Sequence, residues 1–396
     1  MRGEAHMESG PSSSSPVSMR GLRVMMLTAY PAAGGPLPKL SPLVLDGLRR
    51  CGCDVVVEGW GTHTSGRESL TAKVLGRGAD LARVLCHVRR WRPEVLYVAT
   101  AHNRRSLLRD VPLAAALCRR GPPLVLHLHG SECDALGTRG HSVFTRLSLW
   151  LMRRAAAVLV LSHEEQAQWR RFCPDVRFEV VVNPFALAPV ALHGPRARGA
   201  IVREPVLLIV ARLMRPKGVF ELLDALRIVR RTRPCRLVMA GAGPDGDALA
   251  KRAAALGIEG AVDMLGYATE PALASAYARA DIFVLPTYYD EGFPLSVMEA
   301  MASGLPIVTT RIRGCADHLV PDVNAVFVPP RDPQAVAAAV ERLLDDDDLR
   351  LRMGRANAAK VADFAPEAVM PRYAEILKSV AAGHGRPQGT SARTVT

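Results

Sequence analysis

The stretch DIFVLPTYYDEGFPLSVMEAMASGLPIVTT, residues 281–310, opens on an apolar run of strand length and ends on a β-branched one. Between them Gly292-Phe293-Pro294 introduces a helical pattern. Runs that are apolar throughout and joined by helices predict a parallel sheet covered on both faces. The same alternation recurs on either side. Strand candidates in the first half are 22–28, 54–60, 94–100, 123–130, 157–162 and 178–184, with helical stretches such as SPLVLDGLRRCG and DVPLAAALCRRG between them. The pattern breaks at ALAPVALHGPRARGAIVRE, which carries Pro, Gly and charge without periodicity, and restarts at 205–211, 235–241, 261–267, 281–287, 306–310 and 325–330.

The expected fold is α/β, with two doubly wound, Rossmann-like domains in tandem facing a central cleft. The expected division is a disordered leader at 1–20, a first domain at 21–190, a linker at 191–204, and a second domain at 205–363. A last helix at 364–380 is expected to pack back on the first domain, before a disordered tail at 381–396. Ligands of such sheets bind beyond the carboxyl ends of the strands, so the residues just after each strand carry most of the information.

Composition narrows the function classes. With 49% apolar residues the chain is globular material, yet no run approaches the roughly 20 apolar residues that span a bilayer. The first twenty residues lack the apolar centre of a signal peptide, and Met7 and Met19 offer alternative starts. The eight cysteines are scattered, Cys51-Gly-Cys53 aside, so reduced thiols in the cytosol and no metal site are expected. Residues 1–200 hold 27 Lys/Arg against 15 Asp/Glu, while the rest is nearly balanced. A one-sided basic surface suits an anionic partner, or simply solubility. Nucleic acid is not expected, since neither zinc-finger spacing nor an RRM aromatic signature is present.

The sharpest constellation follows the run DIFVLPT. Pro294 suits a first helical turn, and the amides beyond it, those of Leu295 and Ser296, would face an anion. Glu291 stands at the helix mouth with Gly292 and Phe293, and Glu299 lies about 12 Å further along at 1.5 Å per residue. That spacing fits one elongated ligand: a sugar near Glu291, phosphates at the mouth, a ribose diol on Glu299. The plain alternative, an acid favouring the helix dipole and a solvated Glu299, leaves unexplained the apolar neighbours Val297, Met298, Ala300 and Met301.

The run EGFPLSVMEAMASGLPI, 291–307, resembles the signature of retaining GT-B glycosyltransferases, specifically glycosyltransferase family 4 (glycosyl transferases group 1), and the likeness extends from about Leu22 to Val380. LLIVARLMRPKGVFELLDAL, 207–226, is similar to the family's Gly-Arg-Leu-x-x-x-Lys-Gly loop, with Ala211 in place of the first Gly. The resemblance implies that Arg212 and Lys217 bind the donor diphosphate. By the same resemblance Gly34-Gly35 would approach the donor phosphates, and His129 in LVLHLHGSECD would lie beside the donor sugar, with His127 behind it in the core. Gly243, in a Gly-x-Gly-Pro loop, would border the nucleotide, and the backbone at Gly266-Tyr267 would meet the base.

A literal GxGxxG at Gly241, Gly243 and Gly246, with Asp263 twenty residues past Gly243, keeps an NAD-dependent dehydrogenase as an alternative. Against it, the turn does not belong to the first βα unit of its domain, and Asp245 would repel a pyrophosphate. A binding-only nucleotide-sugar subunit is the alternative from another class. The run Asp345-Asp346-Asp347-Asp348 reads as a solvated helix end or turn. The expectation is a hexosyltransferase-type enzyme using a UDP- or GDP-sugar, with no metal or cofactor. Its acceptor would be a glycan, polyprenyl-linked or small molecule, in cell-surface polysaccharide or glycolipid biosynthesis. It would be cytoplasmic, with an anionic inner membrane face as a further partner.

Overall fold

The computed structural model describes residues 21–30, 37–61, 70–117, 121–133, 136–137, 142–186 and 203–384. Among them are two six-stranded, wholly parallel sheets. The first is built from β1 (Leu22–Thr28), β2 (Cys53–Gly59), β3 (Val95–His102), β4 (Leu124–Ser131), β5 (Ala157–Val160) and β6 (Phe178–Val180), in the order β2-β1-β3-β4-β5-β6. The second contains β7 (Val206–Val210), β8 (Arg236–Ala240), β9 (Val262–Gly266), β10 (Ile282–Leu285), β11 (Ile307–Thr310) and β12 (Ala325–Val328), in the order β12-β11-β10-β7-β8-β9. Each strand falls within a run that the sequence marks as one, or overruns it by at most two residues.

Period-two alternation sorts the first sheet's side chains onto two faces. Met25, Leu27, Leu96, Val98, Leu126 and Val158 pack under helices on one side. Val24, Met26, Val95, Tyr97, Val125 and Leu159 pack on the other, where the helix Pro366–His384 supplies Met370, Tyr373 and Leu377. That helix lies so close to the helix Leu37–Arg50 that a Cβ on Gly47 would sit 2.2 Å from Met370 Cγ. The second sheet has a continuous core that runs from Leu207 to Phe364 and takes in Phe185 from the end of the first half.

The acidic run becomes a helix boundary. Asp345 ends the helix Pro333–Asp345, and the Asp346 carboxylate accepts from the Leu349 amide to cap the helix Asp347–Lys360. A carboxylate at this position satisfies an amide that the new helix leaves unbonded. No helix of the described residues is long and apolar enough to cross a membrane.

Candidate active site

In the second sheet the strand order reverses between β7 and β10, so the connections after these neighbours diverge and leave a crevice at their carboxyl ends. Lys217 follows β7 and Glu291 follows β10. Gly218, at φ +73°, turns the chain immediately after Lys217, and a Cβ there would lie 2.2 Å from the Pro286 carbonyl oxygen. Only a glycine fits so close an approach in this left-handed conformation. The Tyr288 amide then donates to the Pro216 carbonyl at 2.8 Å, tying the two loops together. Lys217 Nζ donates to Glu291 Oε1 and stands 4.9 Å from the Tyr289 ring centre. Both side chains are largely withdrawn from water, at 11% and 24% exposure.

A cleft of about 720 Å³, including its open mouth, surrounds this pair. Lys217, Glu291, Gly292, Phe293, Leu295 and Ser296 line it from the second domain, and Leu40, His129 and Asn183 from the first part of the chain. Pro294 immediately precedes the helix Leu295–Ala302, whose first amides lack partners within its own ladder. Glu299 borders an adjoining recess that shares Leu40 and Leu295 with the cleft and also contains Lys39 and Glu270. Its flanking residues Val297, Met298, Ala300 and Met301 point into the core, while its carboxylate accepts the Tyr277 hydroxyl at 2.7 Å. Burial holds the Glu299 carboxyl above the usual range; the bond from Tyr277 and the nearby Lys39 pull the other way.

His129 presents an edge to the cleft from the end of β4, and its Nδ1 is sealed without a partner. Burial lowers its pKa to about 3, so the ring is neutral near pH 7. His127 lies behind it, with ring centres 4.0 Å apart and its Nδ1 against the Tyr97 hydroxyl.

The other sequence candidates are placed less centrally. Arg212 is exposed on the loop after β7, outside the residues lining the cleft. Tyr267 is 83% exposed at the end of β9. Phe293 lines the cleft, but its ring packs 5.0 Å from His318 and 5.1 Å from Phe364 as an anchor. Gly34 and Gly35 lie outside the described residues.

Gly243 and Gly241 press on backbone: Cβ atoms there would come within 2.1 Å of the Leu213 oxygen and 1.9 Å of the Ala211 oxygen. Asp245, between Gly243 and Gly246, accepts from the Arg215 amide at 2.6 Å. The glycine-rich turn thus braces the loop that carries Lys217, and it lies after β8 rather than at the sheet's switch point. Among the described residues, no group of three or more His, Cys, Asp or Glu could hold a metal ion.

Several residues of the site had not been singled out from sequence. Asn183 lines the cleft, 7% exposed with its Oδ1 unpartnered; its place at the end of a predicted strand was the available signal. Lys39 forms an ion pair with Glu270 across the recess at 3.2 Å. Tyr277 meets Glu299 from a separate helix, a contact no local pattern announces.

Comparisons with known proteins agree with this architecture. Residues 195–360 match the family described as glycosyl transferases group 1, and residues 17–184 match the glycosyl transferase 4-like domain. Glycogen synthase of Mycobacterium tuberculosis is 31% identical over 314 residues, covering 76% of this chain and 72% of that one. The alpha-D-kanosaminyltransferase of Streptomyces kanamyceticus is 30% identical over 66% of this chain and 71% of its own. Among solved structures, sucrose-phosphate synthase from Thermosynechococcus elongatus superimposes with a TM-score of 0.72 at 18% identity, over 91% of this chain and 100% of that one. Anabaena HepE in complex with UDP-glucose gives 0.68 at 20% identity, over 90% and 99%. The GT-B fold is shared with these structures, and the dehydrogenase alternative falls with the glycine turn that prompted it. The chain belongs to the group 1 glycosyltransferases, with a glycosyl transferase 4-like domain preceding the domain that gives the family its name.

Proposed function

We propose that this glycosyltransferase moves a sugar from a UDP- or GDP-sugar to an acceptor held mainly by the first domain, with retention of anomeric configuration. The observation that carries the reading is the juxtaposition of Lys217 and Glu291 beside the open amides of the helix Leu295–Ala302. A diphosphate there meets a fixed cation and a helix N-terminus, both suited to the charge that grows on a departing nucleotide. Glu291 orients the sugar, His129 lies beside it as a neutral imidazole, Glu299 holds the ribose, and Arg212 closes on the phosphates from its exposed loop. Gly243 and the backbone near Tyr267 complete the donor contacts.

In the reaction the bond from the anomeric carbon to the phosphate oxygen breaks, and the nucleoside diphosphate leaves with the electron pair. The acceptor oxygen bonds to the same carbon on the same face, and its proton passes to the departing phosphate. No metal is required by this scheme.

Thermal shifts with a panel of UDP-, GDP- and ADP-sugars test it, since a ligand at 100 times its Kd adds about 2.7 kcal/mol. Stabilisation by at least one, with NMR showing the product anomer unchanged, supports the proposal; no response from any would refute it. HepE was solved with UDP-glucose, which supports UDP-sugars as the first to try.

The acceptor we favour is a glycan or lipid-linked intermediate of cell-surface polysaccharide or glycolipid assembly, reached at an anionic membrane face. Leu108 and Val143, 69% and 70% exposed, stand near the starts of two packed helices of the first domain, with Arg104, Arg105 and Arg146 exposed beside them. Such apolar tips among cations suit anionic lipid. Binding to vesicles containing phosphatidylglycerol but not to phosphatidylcholine alone is the expected result.

A further inference from the structure

One buried charge cluster is used by none of the roles above. Arg313 opens the helix Arg313–His318 of the second domain at φ +46°, a left-handed conformation that favours glycine. It is 1% exposed. Its partners come from both domains. The Arg313 amide donates to Glu164 Oε2 at 2.8 Å, and Nη1 stands 3.8 Å from Glu165 Oε2. Nη2 lies 3.6 Å from Asp290 Oδ1 and 3.9 Å from Cys133 Sγ. The neighbouring His163 amide donates to Asp317 Oδ2 at 2.8 Å, which extends the same seam.

Asp290 immediately precedes Glu291. On the other side of Glu291, Gly292 is pressed by the first domain: a Cβ there would lie 2.5 Å from Leu161 Cβ. Leu161 is itself held, because its amide donates to Glu165 Oε2 at 3.2 Å. Beside the bond from Lys217, two restraints on the three-residue segment Asp290–Gly292 therefore lead to Glu165, one through Arg313 and one through Leu161. Glu165 is 2% exposed. A buried ion pair is a poor device for stability alone, since desolvation offsets its attraction. Here it joins two domains at the residue bearing Glu291.

We infer that Arg313 and Glu165 are positioning residues that couple the docking of the two domains to the placement of Glu291 over the donor sugar. The inference rests on the donor reading for what Glu291 does, but the coupling itself needs no ligand. When the domains part, Arg313 leaves Glu165, Leu161 leaves Gly292, and the segment carrying Glu291 loses these two supports and keeps only those of its own domain.

Arg313→Gly is the sharpest test, because glycine keeps the left-handed backbone while removing the cation. Glu165→Gln is the second variant, used if the first does not fold. Hydrogen exchange on the full chain without ligand should show residues 288–294 losing protection while Ile282–Leu285 keep theirs, and X-ray scattering should show a larger radius of gyration. UDP-glucose turnover should fall about tenfold or more in kcat, with the UDP dissociation constant changed less than about threefold. The double variant should be little worse than Arg313→Gly alone.

Unchanged exchange at 288–294 with unchanged scattering would overturn the inference. So would loss of protection at Ile282–Leu285, or a UDP affinity that falls in step with kcat, since either makes the cluster a support of the second domain alone. If neither UDP nor GDP binds the unmodified protein, the donor reading fails, while exchange and scattering still decide the coupling.

Discussion

Replacing Lys217 with alanine removes the ammonium that Glu291 accepts from and that faces the Tyr289 ring. At 11% side-chain exposure the cation is little screened by water. A hydrogen bond to a charged group contributes about 1.5–3 kcal/mol. At about 1.4 kcal/mol per factor of ten, that is a loss of roughly 10- to 150-fold in kcat/KM. The loss should fall mainly on kcat, because the charge on the leaving diphosphate peaks in the transition state. The substitution also strands Glu291, an acid without its cation at the place where the phosphates arrive. Glu291→Gln introduced into the Lys217→Ala background should therefore cost less than it does alone, by about 1 kcal/mol or more. Steady-state kinetics on the four proteins of this cycle, with the best nucleotide sugar of the panel, provide the assay. Strict additivity, or a change confined to KM, would refute the assignment of Lys217 to the leaving group.

Burial raises the Glu299 pKa, so the folded protein binds that proton more tightly than the unfolded chain. Its contribution to stability is full below the unfolded value near 4.5 and is lost as pH rises through the folded value. Glu299→Gln should accordingly raise the melting temperature at pH 7 while weakening nucleotide binding, measured by calorimetry; a variant that binds normally counts against the ribose role. Burial moves His102 and His129 the other way, to about 4 and about 3, with His127 also lowered. These imidazoles stay neutral in the fold while the unfolded chain takes up protons below pH 6.5, so urea midpoints should fall from pH 6.5 to 5, opposed in part by Glu165 and Glu299. Gly218→Ala should destabilise by about 1–3 kcal/mol and cut activity, because the φ of +73° and the Pro286 carbonyl both oppose a side chain. Asp346→Ala should cost about 1 kcal/mol in denaturant unfolding through the lost helix cap.

The twelve strands were legible because a strand buried on both faces must be apolar at nearly every position. Their ends were less so, for a reason tied to the site. The runs 157–162 and 178–184 continue past β5 and β6, which stop at Val160 and Val180. Two of the extra residues face the cleft: Leu161 presses on Gly292, and Asn183 lines the pocket. Hydrophobicity marks them as strand, whereas their neighbours in space make them wall.

Within the site, Glu291 and Lys217 could be read because each lies past a strand in a short, patterned segment, and Glu299 because it is a lone acid among apolar residues of the helix that follows. Tyr277, Lys39 and Arg313 could not. Arg313 meets Glu164 across 149 residues of sequence, and nothing local distinguishes it from the neighbouring Arg311. The GxGxxG misdirects for a related reason. Gly241 and Gly243 are demanded by close backbone packing against Ala211 and Leu213, a need that looks the same in sequence as a phosphate cradle, while a side chain at Gly246 would meet open space.

A crystal structure of the protein with an unhydrolysed nucleotide sugar tests the central claim most directly. The account predicts the diphosphate between Lys217 and the amides of Leu295 and Ser296, the ribose hydroxyls on Glu299 and the sugar beside Glu291 and His129. A nucleotide bound away from these residues, or a diphosphate without contact to Lys217, would contradict it.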